Sequence, residues 1–162
     1  VVSKGGEWVQ IVLEDGKYSG TIATDQTAAS TNTAYALTYT SSTADGIANG
    51  TPASRIVFDE AGQYMISFSA QIASTSSSTV NFWFWPRING ADVAGSSMEN
   101  ALHQNGAVLV VSRSAIFEIN AGDYLEAMWA VDNTSGFLSA NAATAFAPAA
   151  PASTIAITRL HG

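Results

Sequence analysis

The sequence contains no cysteine and few charges. Of its 162 residues, six are Lys or Arg and 13 are Asp or Glu, which gives a formal net charge of −7. The lack of cysteine excludes disulfides, thiolate catalysis and zinc sites built on cysteine. The six cations are scattered, so we expect no nucleic-acid partner. We also expect no membrane partner, since the apolar runs fall well short of the ~20 residues of a membrane span.

Motifs that carry catalysis or bind a metal are lacking too. His103 and His161 stand alone, and the sequence has no Gly-x-Ser-x-Gly elbow and no Asp-x-Asp-x-Asp-Gly calcium loop. Two alternatives stay open, a calcium site built from separate turn carboxylates and a glycosidase with paired carboxylates that only the fold brings together. We expect a protein that is not an enzyme and that needs no cofactor or metal.

The sequence does contain many short apolar segments separated by Gly, Asn and Asp. Asn89-Gly90 is typical of a type I′ hairpin turn, in which both residues need a positive φ. The segments 41–53 and 133–153 are longer and are predicted as loops. This pattern predicts an all-β protein, a jelly-roll β-sandwich. The predicted strands are 34–40, 54–60, 62–74, 79–88, 91–96, 106–119, 123–132 and 153–161.

The N-terminal part of the chain differs in composition from the rest. We interpret residues 1–33 as an extended arm and connector and residues 34–162 as the jelly-roll domain. The apolar residues near the start fit no helical stripe, and we expect them to dock the arm on another surface. These docking residues are Trp8, Val9, Ile11 and Leu13.

The predicted strand 79–88 carries four consecutive aromatic residues, from Phe82 to Trp85. Successive side chains of a strand point to opposite faces, so one aromatic pair fills the core and the other faces outward. That outward pair is either covered by protein, from the same chain or a neighbour, or forms a platform for a ligand. The candidate residues for this covered or ligand-binding face are Trp83, Trp85, Phe137 and Phe146.

Four segments together resemble the jelly roll of the tumour-necrosis-factor-like and complement-globular-head proteins, in particular its bacteriophage branch. They are "AGQYMISFSAQI", "NFWFWPRINGADV", "SRSAIFEINAGDYLEAMWAVD" and "TIAITRLHG". The resemblance implies a homotrimer in which one sheet of each chain faces a threefold axis. By that analogy the strands at 62–74, 123–132 and 153–161 line the axis, and the strand at 79–88 lies in the outer sheet. The implied interface residues are Tyr64, Ile66, Phe68, Tyr124, Met128, Ile155 and Ile157.

The resemblance also implies a function. We expect a bacteriophage virion protein, a surface module that decorates the capsid or forms a short fibre and that binds other virion proteins through its arm. It would be assembled in the host cytoplasm and reside on the virion surface. The alternative is the receptor-binding knob of a tail fibre that recognises host surface glycan. Four arginines, at positions 55, 87, 113 and 159, either serve intersubunit or glycan contacts or protect strand edges.

Overall fold

The structure, a computed structural model, describes residues 2–4, 7–9 and 16–161, with side chains from Gly16 to Leu160. The regular structure of these residues consists of strands alone, and none of them forms a helix long and apolar enough to cross a membrane. The strands are β1 (Val2–Lys4), β2 (Glu7–Val9), β3 (Lys17–Ile22), β4 (Gln26–Thr27), β5 (Tyr35–Ala36), β6 (Thr40–Asp45), β7 (Ile47–Asn49), β8 (Ile56–Phe58), β9 (Gly62–Ser74), β10 (Val80–Ile88), β11 (Ala91–Asp92), β12 (Met98–Leu102), β13 (Val108–Ile119), β14 (Tyr124–Val131), β15 (Gly136–Leu138) and β16 (Ser153–His161).

Two antiparallel sheets form a sandwich. Sheet I has the order β13-β9-β16-β3-β6, and β15 and β4 continue it beside the end of β9. Sheet II has the order β12-β10-β14-β8-β7, and β11 and β5 pair with β10 and β14. The short strands β1 and β2 pair with each other. The expectation of an all-β sandwich is therefore confirmed.

The core lies between the two sheets and is rich in aromatic rings. Phe68 of sheet I and Phe84 of sheet II have ring centroids 5.2 Å apart, and Phe58 and Tyr64 approach to 4.8 Å. Ring pairs at these separations stabilise a core beyond the area that they bury. Branched aliphatic side chains from both sheets, such as Ile157, fill the space around the rings.

Several strands lie where the sequence pattern predicts them. The bounds 62–74 and 153–161 are confirmed to the residue, and the strands predicted at 79–88 and 123–132 occupy 80–88 and 124–131. The prediction of a loop over 41–53 is wrong, because β6 and β7 occupy most of it and turn at Gly46, whose φ is 64°. Ile47 is the one large apolar residue in this segment, so the sequence shows no apolar alternation there.

One strand lies in a different sheet from the one that the resemblance implied. The analogy put 123–132 in the same sheet as 62–74 and 153–161, but β14 pairs with β10 over seven residues in sheet II. Alternation along a strand shows which side chains share a face. It does not show which strand lies alongside, and here the neighbour of β14 is the aromatic strand.

Residues 17–33 belong to the sandwich. Strand β3 lies between β16 and β6, and Tyr18, Ile22 and Ala28 are part of the core. Of the predicted docking residues, Trp8 and Val9 lie in β2, opposite Ser3 and Val2. Ile11 and Leu13 lie outside the described residues. A docking role for the residues before Gly16 stays a prediction.

Candidate functional site

The aromatic strand β10 turns its phenylalanines inward and its tryptophans outward. Phe82 and Phe84 are buried in the core, whereas Trp83 and Trp85 are half-buried on the outer face of sheet II. Such alternation follows from the pleat of a strand. The structure thus settles which of the two aromatic pairs is core.

The outward tryptophans share their face with side chains that they help to shield. Trp83 lies opposite Ala130, and Trp85 lies opposite Met128. Cross-strand neighbours on one face have Cβ atoms ~4.5–5.5 Å apart. Met128 and Ala130 point away from the core and yet are only 4% and 8% exposed. Register makes the two tryptophans cross-strand neighbours of Met128 and Ala130, and Ala36 of β5 lies on the other side of Met128.

Trp85 is held in place by a polar contact. Its Nε1 donates a hydrogen bond of 2.7 Å to Oδ1 of Asp92, and Nε of Arg87 donates one of 2.8 Å to the same oxygen. The Arg87 guanidinium and then the indole NH lower the pKa of Asp92 below its usual value. The three side chains form a fixed polar cluster on the outer face of sheet II, so the ring presents a defined surface.

The outer face of sheet I has a different composition, which we call the hydroxyl face. Ser67 and Ser114 share a hydrogen bond of 2.8 Å between their Oγ atoms, and Ser69 and Thr154 share one of 2.7 Å. These side chains bond to one another across strands and leave a flat surface of small groups. The residues of the hydroxyl face are Ser19, Thr21, Ser67, Ser69, Ser112, Ser114, Thr154 and Ala156.

Exposed apolar side chains border the hydroxyl face on strands β9 and β13. By register, Ile116 and Met65 lie together near one end, and Val108 and Val110 lie on the same outward side of β13 near the other. Their exposed fractions run from 41% for Met65 to 61% for Val110. Two pairs of exposed apolar residues thus flank the hydroxyl groups on one face, and exposed apolar area of this kind is typical of a surface that binds another protein.

Charge is sparse on this outer face. The ionisable side chains that the register places there, among residues 16–160, whose side chains the structure describes, are Lys17, Asp45 and Glu118. All three lie at one end of the sheet, where Lys17 is opposite Asp45 and Glu118 accepts a hydrogen bond from Gln63. The remainder of the face is neutral. Burial against a second protein would therefore desolvate few charges.

Strand β13 is the edge of sheet I. It pairs with β9 along all of its 12 residues and with no further strand of the described chain. Residues 108–111 of this strand read Val-Leu-Val-Val. A long apolar edge strand offers unpaired backbone groups to another chain, and proteins usually cover or charge such edges. Here the edge is 12 residues long, and its only charged residues are Arg113 and Glu118.

An apolar cavity of about 250 Å³ opens beside this edge, between the two sheets. Its walls include Phe68 and Phe117 of sheet I and Phe84 and Leu125 of sheet II. Arg113 of β13 lies at its mouth and donates a hydrogen bond of 2.7 Å to the carbonyl oxygen of Ser96. No pattern in the sequence predicts this cavity, because its walls come from strands far apart in the chain.

The residues predicted for the trimer interface occupy two kinds of place. Four of them, Tyr64, Ile66, Ile155 and Ile157, are buried inside the sandwich of a single chain. A second chain can reach them only if the sheets open, so the outward neighbours of these residues are the ones available for contact. The other three are Phe68, half-buried against Phe84, and Tyr124 and Met128 on the outer face of sheet II.

The residues predicted for a ligand face are not brought together. Trp83 and Trp85 lie on the outer face of sheet II, whereas Phe137 pairs opposite Ala73 in sheet I. Phe146 lies in the loop between β15 and β16 and is 91% exposed. The structure therefore divides the candidate aromatics between two sheets and one loop.

The arginines and His103 have local partners. The Arg55 guanidinium lies 4.1 Å from the ring centroid of Tyr124, and Arg159 donates to the carbonyl oxygen of Ala61. Nδ1 of His103 lies 3.0 Å from Oγ1 of Thr79. The described residues include no cluster of three or more His, Asp or Glu side chains that could hold a metal ion.

A comparison with protein-family models and one with curated protein sequences each gave no match.

Proposed function

We propose that this chain is a non-enzymatic structural module that assembles with copies of itself through the hydroxyl face and the edge strand β13. The observation that carries the proposal is the outer face of sheet I. It combines exposed Met65, Val108, Val110 and Ile116 with a neutral, flat centre of hydroxyl groups. Burying such a face gains apolar contact area at little cost in charge desolvation.

The fold supports a jelly roll as the form of this module. The crossings of the chain between the two sheets include β8–β9, β9–β10, β12–β13 and β13–β14, and β16 lies beside β3. Double-sheet antiparallel sandwiches with such crossings include the jelly rolls. With the sequence resemblance described above, this supports a homotrimer of the tumour-necrosis-factor-like type on the surface of a bacteriophage particle, as a capsid decoration protein or a short fibre.

The test of self-assembly is the solution mass of the purified chain by light scattering. We expect the mass of three chains for the wild type and of one chain for Ile116→Lys, because a lysine at this position would bury an unpaired charge in the interface. Phe146→Lys is the matched control, since it places the same charge on another exposed apolar residue, and its mass should stay that of three chains. A monomeric wild type, or an unchanged mass for Ile116→Lys, would contradict the proposal.

The docking role of the N-terminal residues needs a separate experiment. Deletion of residues 1–15 should leave the solution mass of the trimer unchanged and should abolish its recovery with virus particles. If the shortened chain is still incorporated into particles, docking is carried by another surface.

A second candidate function is recognition of host surface glycan. It rests on the half-buried Trp83 and Trp85, whose face also carries Arg87 and Asp92 in fixed positions. Flat aromatic faces beside polar side chains suit the apolar face and the hydroxyl groups of a sugar ring. Screening of the trimer on a glycan array distinguishes this function, provided that any binding is lost in Trp83→Ala and kept in Phe137→Ala.

A further inference from the structure

We propose that the cavity beside strand β13 binds a small amphiphile, a monocarboxylate with an apolar tail of about eight carbons, and that Arg113 binds the carboxylate. The cavity lies inside the sandwich and not on the hydroxyl face. Because the cavity opens beside β13, which the proposed self-assembly also uses, ligand binding and solution mass are measured on the same samples, so that the two proposals can fail separately.

The cavity exists because of a small residue on the edge strand. Arg113, Ala115 and Phe117 follow one another on the inward side of β13, opposite Phe68, Ile66 and Tyr64 of β9. Ala115 leaves space between two larger side chains. Across that space lie the ring of Phe84 and the side chain of Leu125 from sheet II.

A further wall is formed by the loop of residues 93–96, which is held in a defined position. Val93 N donates to the carbonyl oxygen of Pro86 at 3.2 Å, and Oγ of Ser96 donates to the carbonyl oxygen of Val93 at 2.6 Å. Nη1 of Arg113 then ties the loop to β13 through the carbonyl oxygen of Ser96. These bonds hold the mouth of the cavity in place, so the site is preformed and needs little ordering when a ligand binds.

The charge at the mouth selects an anion. No carboxylate among the described residues lies within ion-pair distance of Arg113, whereas Arg87 pairs with Asp92 at 2.8 Å. Nη1 bonds to a carbonyl oxygen, and the described residues accept no hydrogen bond from Nε or Nη2. In a chain of net charge −7, a guanidinium without a counter-ion beside an apolar cavity fits a carboxylate head group.

The volume of the cavity limits the tail. Pockets for drug-sized molecules have volumes of ~300–1,000 Å³, so a cavity of about 250 Å³ suits a smaller, linear molecule. Each methylene that the cavity buries contributes ~0.8 kcal/mol of transfer free energy to binding, which is roughly a fourfold gain in affinity. Octanoate should therefore bind on the order of tenfold more tightly than hexanoate.

The experiment is a calorimetric titration of the full chain with octanoate and, as the neutral ligand with the same number of carbon atoms, octanol. We expect saturable binding of both, with octanoate preferred roughly tenfold, as a charge-assisted hydrogen bond provides. Arg113→Gln should remove the preference, so that octanoate and octanol bind this variant with equal affinity. Ala115→Phe should abolish both. Arg55→Gln, which removes an arginine stacked on Tyr124 away from the cavity, is the control and should bind like the wild type.

Three outcomes would overturn the proposal. They are no saturable binding to the wild type, equal affinity of octanoate for the wild type and Arg113→Gln, or binding that survives Ala115→Phe. If Ala115→Phe does not fold, as judged by its thermal melt, Ala115→Leu replaces it. The mass of each sample is measured alongside. If the wild type does not bind octanoate and Ala115→Phe is no longer a trimer, the cavity belongs to the contact with a neighbouring chain. That result also refutes the ligand proposal.

Discussion

Asn89 and Asp123 connect two turns at one end of sheet II, where Nδ2 of Asn89 donates a hydrogen bond of 2.7 Å to Oδ1 of Asp123. Asn89 Oδ1 in turn accepts a bond of 3.0 Å from the backbone NH of Tyr124. Asn89 also has a φ of 50°, and Gly90 after it has a φ of 80°. This confirms the turn that Asn89-Gly90 predicts, and it shows that Asn89 serves both the turn and a contact between turns.

The first prediction separates these two roles of Asn89. Asn89→Ala should lower the free energy of unfolding by ~2–3 kcal/mol, because it loses both side-chain hydrogen bonds and because alanine tolerates the left-handed region less well than asparagine. Asn89→Gly loses the bonds but tolerates the positive φ, so it should cost about 1 kcal/mol less. Urea unfolding measures both values. Equal losses for the two variants would show that the turn conformation contributes nothing.

The second prediction concerns stability in acid. The hydrogen bond from Asn89, followed by the one from the backbone NH of Asn120, lowers the pKa of Asp123. Because this pKa is lower in the folded state, its stabilising effect is fully present above the unfolded value of ~3.9 and is lost as the pH falls through the folded value. Asp123→Asn should therefore make unfolding free energy less dependent on pH below about 4.

Urea unfolding at a series of pH values measures this dependence. Asn89→Gly is the matched control, since it removes the largest cause of the shift and keeps the carboxylate. Below about pH 4, the pH dependence of its unfolding free energy should lie between those of the wild type and Asp123→Asn. The prediction fails if Asp123→Asn and the wild type have parallel pH profiles.

The third prediction concerns the close approach of β15 to the core. A Cβ added at Gly136 would lie 2.7 Å from both Cζ of Phe82 and Cγ1 of Val80. Both atoms belong to buried side chains, so Gly136→Ala should destabilise the protein by ~1–3 kcal/mol through overpacking. Phe82→Leu removes one of the two obstacles. In a double-mutant cycle, Gly136→Ala should cost less in the Phe82→Leu background than in the wild type, and additive losses would refute this cause.

The longest alternating strands could be predicted from the sequence, because the pattern that identifies them lies within each strand. In 62–74 and 153–161 large apolar residues recur at every second position over most of the segment, as at Tyr64, Ile66 and Phe68, so both strands follow from the pattern. In 98–102 and 40–49 the residues are mostly polar or small. Their strand conformation comes from pairing with β10, β3 and β8, which no local pattern reports.

The surfaces could be predicted less well than the strands. In "GAVLVVSRSAIFEI" apolar residues occupy both faces, so the sequence does not show that Ile116 and Val110 point outward while Val111 points inward. The interface residues implied by the resemblance were mainly the inward set, because strongly apolar alternation marks the core first. The cavity needs Ala115 and Ser96 to meet across two sheets, and only the folded chain brings them together.

Sheet I closes late when the chain is made from its N-terminus. Strand β16 lies between β9 and β3, and it places Thr158 opposite both Lys17 and Met65. Until the ribosome has released residues 153–161, β3 lacks this partner and β9 lacks the neighbour that completes its ladder. A sheet whose central strand is made last has contacts of very long sequence separation, which slow folding. Until β16 is added, the edges of β9 and β3 that it will cover remain unpaired. Newly made chains that lie close together can therefore pair through these edges and misassemble.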